Sequence, residues 1–298
     1  MIPSEFHKPV MVSQILFYLS PKPEKLYLDC TLGGGGHTLT ILDATQGKAR
    51  IIGLDMDPQA IAYAKERLSS FQKSVSLIEG NFIRAGEILK KMNIEGVDGL
   101  ICDLGLSSWQ LEQGSRGFSF QKNEPLDMRM NPRAGFTAAD ILNTWREDEL
   151  NALFNRGEVP FASRIAREIA RRRAKKAFDT TFDLVNFILG LKLPFSRTFH
   201  PATLIFQALR IAVNRELENL SILLSSLPEL LNPEGRAVFI AYHSLEDRLI
   251  KNSFRTFHQE GFFAVLTKKV VRPSSEEVDQ NPRARSARLR AAERRAKK

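Results

Sequence analysis

Three aspartates, Asp29, Asp55 and Asp103, each close a short apolar run, and four glycines, Gly33-Gly34-Gly35-Gly36, follow the first of them almost at once. Glycine tolerates positive φ and lets a backbone approach a ligand closely. A glycine-rich turn alone suits a nicotinamide dinucleotide equally well. The order Asp29-Cys30-Thr31-Leu32-Gly33-Gly34-Gly35-Gly36-His37 favours S-adenosylmethionine, because an acid beside the turn can take the cationic amino-acid end of that molecule. A carboxylate at Asp55, ending the second run, is placed to accept both ribose hydroxyls. Asn81-Phe82 ends the third run, where the ring faces an adenine or simply joins the core. Asp103 ends the fourth, at the crevice where open α/β sheets gather their ligands.

These positions need strands to present them. Residues 26–30, 51–55, 75–78 and 97–103 read as buried strands, with helical stretches at 58–70 and 85–92 between them. Pro58 marks a helix start, and Ile61, Ala64 and Leu68 follow at helical spacing. Strands alternating with helices imply a parallel α/β sheet with right-handed crossovers. From about residue 105 to 200 the rhythm stops and only helical patterns appear, at 138–143, 147–154, 162–176 and 183–191. It resumes with one long helix at 202–224, a strand at 237–242, a helix at 245–257 and a last strand at 262–268. The expected fold is therefore a doubly wound, mostly parallel sheet formed by residues 1–105 and 201–298, with residues 106–200 as an inserted helical domain. From Pro273 onward the chain reads as a charged tail, partly disordered when alone.

The net charge of +9 is unevenly spread. Residues 283–298 hold eight Lys/Arg against Glu293, and residues 164–176 hold seven against Glu168. Outside the first block only +2 remains, so two basic blocks on a near-neutral body suit a polyanionic partner better than a small metabolite. Arg164, Arg167, Arg171, Arg172 and Lys175 recur at helical spacing, which predicts a phosphate-facing stripe. Cys30 and Cys102 have no metal-ligand spacing and read as free core thiols. No apolar run approaches a membrane span, and the stretch at 10–19 lacks a cleavage site and reads as an amphipathic helix. A cytoplasmic protein without metal or membrane is expected; monomer and homodimer both stay open.

Several longer blocks carry a resemblance. His7-Lys8-Pro9-Val10, Asp103-Leu104-Gly105-Leu106-Ser107-Ser108-Trp109-Gln110-Leu111, Arg116-Gly117-Phe118-Ser119-Phe120 and Pro125-Leu126-Asp127-Met128-Arg129-Met130 occur in that order. Phe206-Gln207-Ala208-Leu209-Arg210-Ile211, His243-Ser244-Leu245-Glu246-Asp247-Arg248 and Asn281-Pro282-Arg283-Ala284-Arg285-Ser286-Ala287 follow. Together they resemble the RsmH (MraW) family of bacterial small-subunit ribosomal RNA cytosine-N4 methyltransferases, from residue 7 to about 295. The resemblance implies a Rossmann-like S-adenosylmethionine-dependent methyltransferase fold, with 16S ribosomal RNA, within the small subunit, as substrate. It places cofactor contacts at Gly35, Gly36, His37, Asp55, Phe82, Asp103 and Gln110; His37 and Gln110 rest on the resemblance alone. The chain departs from the family pattern at Gly34, at Val159-Pro160, at Leu204, where an Arg is common, and at Tyr242, where Phe is usual.

For the chemistry, Asp103 or carbonyls just after it can orient an amino nucleophile. His243 is a candidate proton acceptor or base contact. Asp247 and Arg248 suit RNA positioning or a structural ion pair, with Ser244 as a simple helix cap in the plainer alternative. Trp109 and Phe118 suit base stacking or packing. A DNA amino-methyltransferase, which would carry a Pro-Pro motif after the fourth strand, a non-catalytic RNA-binding protein and a nicotinamide oxidoreductase are the competing classes.

Overall fold

The computed structural model describes residues 9–105, 115–133, 135–195 and 200–296. Trp109 and Gln110, both singled out above, lie outside them, as do His7 and Lys8. The chain divides into two compact units, Met1–Ser107 with Leu217–Lys298, and Ser108–Glu216.

The first unit is built on a seven-stranded sheet in the order β3-β2-β1-β4-β5-β7-β6. Strands β1 (Leu26–Asp29), β2 (Arg50–Asp55), β3 (Val75–Glu79), β4 (Val97–Asp103) and β5 (Leu231–Ala241) run parallel, while β7 (Arg288–Arg294) lies antiparallel to both β5 and β6 (Phe263–Val265). This is the expected mostly parallel, doubly wound sheet. Its order reverses beside β1, so the carboxyl ends of β1 and β4 flank the switch point, the place where such sheets gather their ligands.

The strands form because their runs are apolar enough to be buried on both faces. On one face Leu28, Ile52, Leu100 and Phe239 pack against α4 (Ala85–Lys91), α10 (Glu216–Leu230) and α11 (Ser244–Gln259). On the other, Tyr27, Ile51, Ile101 and Val238 meet α1 (Val12–Leu19), α2 (Gly36–Ala44) and α3 (Pro58–Arg67). Asp57 caps α3 by accepting from the Gln59 amide at 3.0 Å, and Pro58 sits at its first position. Both cysteines are free and buried, and burial pushes their thiols well above the ordinary range, as befits inert core groups.

Two expectations change here. The single helix expected at 202–224 is two, α9 (Ala202–Asn214) and α10, because Arg215 adopts a left-handed conformation between them. Arg210 and Glu216 close that corner with a double hydrogen bond, both at 2.8 Å. The tail from Pro273 is structured: it contains a short helix α12 (Ser275–Gln280) and β7, an internal strand of the sheet. Its charges find partners there, with Arg290 bound to Asp247 at 2.6 and 3.2 Å, Arg236 to Glu293 at 2.7 Å, and Arg294 to the Leu231 carbonyl.

The second unit is helical: α5 (Ala138–Thr144), α6 (Glu147–Arg156), α7 (Ala162–Arg173), α8 (Thr181–Gly190) and α9. Thr137 and Thr180 start α5 and α8 with reciprocal capping boxes to Asp140 and Asp183. Its core gathers Leu150, Phe154, Ile165, Ile169, Phe178, Ile188 and Leu209, all at most 1 % exposed. Phe118 is also buried, so its ring packs within this unit.

Candidate active site

The three aspartates lie at the carboxyl ends of β1, β2 and β4, as the sequence reading had them. Each does something different. Asp29 is 2 % exposed and uses both oxygens on its own loop, accepting from Thr38 Oγ1 at 2.7 Å and from the Thr31 amide at 3.2 Å. Burial raises its pKa. It organises the turn.

Asp55 ties the glycine loop to β2, with Oδ2 accepting from the Gly33 amide at 2.8 Å and Oδ1 from the Asp57 amide at 2.9 Å. Burial, against those two bonds, pushes its pKa up to about 6. Gly33 and Gly35 take positive φ, 50° and 72°, which a side chain resists. A Cβ on Gly35 would also lie 3.1 Å from Leu68 Cδ1, and one on Gly36 would lie 3.2 Å from Pro9. Gly35→Ala should therefore lose about 1–2 kcal/mol of stability and weaken cofactor binding with it. Urea unfolding and calorimetric titration read both; an unchanged midpoint would show that the loop tolerates a side chain.

Asp103 is held from both sides. Tyr242 donates its hydroxyl to Oδ1 at 2.9 Å, and His37 Nε2 lies 3.2 Å from Oδ2. The Asp103 amide donates to Thr31 Oγ1 at 2.7 Å. Tyr242 also lies over Gly105, whose added Cβ would meet its ring at 3.2 Å, so the tyrosine fixes both the carboxylate and the backbone that follows it. Burial, and the Asp103 charge beside it, lift the Tyr242 phenol well above its ordinary range, so it stays a donor. Thr31, Thr38 and Tyr242 escaped sequence reasoning. Threonines two and nine positions past a strand-end acid were the available signal for the first two, and the Phe-to-Tyr departure for the third.

His37 sits in the first turn of α2, 6 % exposed, and its Nδ1 is buried without a hydrogen-bond partner among the described residues. An orphaned polar atom in such a place fits a ligand group. Phe82 opens a 3-10 turn after Asn81, which caps it by accepting from the Ile83 amide at 3.0 Å, and the half-buried ring packs against the core around Leu28 and Ile52.

His243, rather than Ser244, is the N-cap of α11. Its Nδ1 accepts from the Glu246 amide at 3.3 Å, while Glu246 Oε2 accepts from the Tyr242 and His243 amides at 2.9 and 3.3 Å. With Nδ1 accepting, the ring proton sits on Nε2, which lies 3.2 Å from Glu246 Oε1 but is buried without a hydrogen-bond partner among the described residues. Asp247 pairs with Arg290, and Arg248 is exposed on α11. On α7, Arg164, Arg167 and Arg171 are exposed, and at 3.6 residues per turn they share an arc of about 60°; Lys175, also exposed, lies in the turn just after the helix. Arg172 turns away from them. It donates to the Lys176 and Ala177 carbonyls, pairs with Asp183 at 3.3 Å and covers the Phe178 ring at 3.9 Å.

A family model described as the MraW methylase family matches residues 4–295. The chain belongs to the MraW methylase family. It is 46% identical over 297 residues to a protein of Kosmotoga olearia, covering 98% of both chains. It is equally identical over 297 residues to one of Thermotoga neapolitana, covering 97% of this chain and 96% of the other, and 43% identical over 291 residues to one of Dictyoglomus thermophilum, covering 97% of each. All three are called ribosomal RNA small subunit methyltransferase H. The protein is thus a methyltransferase, and a methylase needs a donor. Acids at three strand ends, a glycine loop without side chains and the open Nδ1 of His37 fit S-adenosylmethionine, whose sulfonium and ammonium groups are cationic.

Proposed function

We propose that the protein methylates the exocyclic N4 amino group of a cytidine in the decoding region of 16S ribosomal RNA, using S-adenosylmethionine, in the cytoplasm. The observation that carries this reading is the bracketed Asp103 carboxylate at the end of β4, beside the glycine loop. When bound, the cofactor supplies an activated methyl group to an in-line nucleophile. Asp55 would accept the ribose hydroxyls, and Gly35 and Gly36 would line the loop beneath. A carboxylate has room for about four hydrogen bonds, and Tyr242 and His37 occupy one on each oxygen of Asp103. The rest remain for an amino hydrogen of cytosine. Accepting it draws the N4 lone pair out of the ring system and offsets the positive charge that develops on nitrogen. Holding base and donor in line supplies much of the remaining rate. His243, occupied with closing α11, supports Tyr242 through the shared Glu246.

The helical unit supplies RNA contacts through Arg164, Arg167, Arg171 and Lys175, and Arg248 adds one on the sheet unit. Glu168 lies 3.0 Å from Arg171 and 3.6 Å from Arg167, which steadies both guanidinia while leaving net positive charge on the face. Charge reversal at Arg167 and Arg171 together should weaken RNA binding and flatten its salt dependence by about 0.7–0.9 per lost phosphate contact. Cofactor affinity should not move; an unchanged salt slope would show that the stripe is merely solvated.

Methyl transfer to small subunits lacking the modification, compared with transfer to free 16S RNA, tests the function. Incorporation at a cytidine of either substrate supports it; incorporation into neither, with cofactor bound, refutes it.

A further inference from the structure

Antiparallel β7 brings residues of the supposed tail to the edge of the sheet that carries Asp103. Asp103 is in register with Ile240 of β5, and Ile240 with Leu289 of β7, so Arg288 stands one residue beyond that line. Two strand spacings separate the backbones, about 10 Å. Val271 pairs with Leu289 across an isolated antiparallel bridge, exchanging both amide bonds at 3.1 and 2.9 Å. That register sets Arg272 directly opposite Arg288. Like charges in opposed cross-strand positions destabilise a sheet, so this pairing calls for a compensating anion.

The protein itself does not provide a full one. Side chains alternate along a strand, so Arg288 faces the same side as Arg290, toward α11. The acid there, Asp247, is already held by Arg290 through both oxygens. Among the described residues Arg272 donates to the Ser286 and Ala287 carbonyls, both at 3.4 Å, the outer limit of a hydrogen bond, and feels Asp247 as the opposing charge. Arg288 Nη1 is buried with no hydrogen-bond partner among the described residues. Burial, and then the nearby Arg288 charge, depress the pKa of Arg272. Positive charge continues along α11, where Arg248, Lys251 and Arg255 are exposed at i, i+3 and i+7, one face of a helix over about 10 Å. Lys268 and Lys269, just before the bridge, are exposed as well.

We propose that Arg272 and Arg288 form an anion seat that grips a phosphodiester of the RNA substrate on the catalytic edge of the sheet. The proposal deepens the RNA-methylation reading and rests on it for the identity of the anion. Guanidinium groups bind phosphate oxygens in a planar, two-pronged way, and a run of cations beyond the seat suits a polyanion rather than a single free ion.

Arg272→Gln, Arg288→Gln and the double variant of the full chain test it, through RNA affinity against salt, methyl-transfer kinetics and thermal melting at low salt. Each single change should lower the salt slope by about 0.7–0.9 and raise KM for RNA, with S-adenosylmethionine affinity unchanged. Arg272→Gln should also hold or raise Tm, because it removes a repulsion. An unchanged slope and KM overturns the seat. So does a fall in RNA affinity that comes with an equal fall in Tm and cofactor affinity, the signature of a structural role. Inorganic phosphate provides an arm independent of the RNA reading. If the wild type binds cofactor yet ignores ribosomal RNA, a phosphate-dependent rise in Tm that the double variant loses still supports an anion seat, and its absence overturns one.

Discussion

Asp103→Asn should lower kcat by about 10²-fold or more while changing cofactor affinity far less. Asparagine keeps the shape and one acceptor oxygen, so Tyr242 still has a partner and His37 can face the amide through its other tautomer. What disappears is the charge that stabilises a cationic nitrogen as the methyl group arrives, an interaction made chiefly in the transition state. Loss in kcat without matching loss in binding is the kinetic mark of such an interaction. Tyr242→Phe should give a smaller fall, since packing over Gly105 survives and one of two restraints remains. Single-turnover transfer with calorimetric cofactor titration separates these outcomes. Full turnover by Asp103→Asn would remove the carboxylate from the chemistry.

The second large effect is at Asp55. Asp55→Ala should weaken S-adenosylmethionine by about 10²–10⁴-fold, because two hydrogen bonds to a charged acceptor are lost, each contributing about 1.5–3 kcal/mol. Part of that loss is the Gly33 amide, which Asp55 also holds. A pH series isolates the charge. With the Asp55 pKa pushed up to about 6, cofactor affinity should weaken below pH 6, approaching tenfold per unit, and level off above it. The effect on folding has the opposite sign. The folded pKa exceeds the unfolded value near 4, so this group's stabilising contribution is present below pH 4 and is lost as pH rises through 6. Cofactor-free protein should thus lose stability from this group over the interval in which it gains affinity. Asp55→Asn should flatten both; a wild-type affinity that is flat from pH 5 to 8 would contradict the assignment.

The acid-tipped strand ends were legible because each strand announces itself by an apolar run and ends in an acid. The start of α3 was legible from Asp57-Pro58. The tail was not. Arg288, Arg290, Glu293 and Arg294 give β7 the composition of a solvated segment, and only tertiary partners such as Asp247, Arg236 and the Leu231 carbonyl make a strand of it. The break between α9 and α10 left no glycine or proline to find, since Arg215 itself takes the left-handed turn. Arg172 looked like a member of the basic stripe by spacing, yet its angular position carries it to Phe178 and Asp183. His243 caps α11 through Nδ1, because a ring nitrogen can accept an amide hydrogen as a serine would, which leaves Nε2 for other work. For Arg172 and His243 spacing gave the right element, and only the neighbours decided what the side chain does.

The most direct test of the central claim uses S-adenosylmethionine labelled in its methyl group, small ribosomal subunits lacking their native modification, and identification of the labelled nucleoside after complete digestion. Label is expected in N4-methylcytidine, its rate of appearance cut sharply by Asp103→Asn and, at limiting cofactor, by Asp55→Ala. Label in any other nucleoside, or none despite bound cofactor, would contradict it.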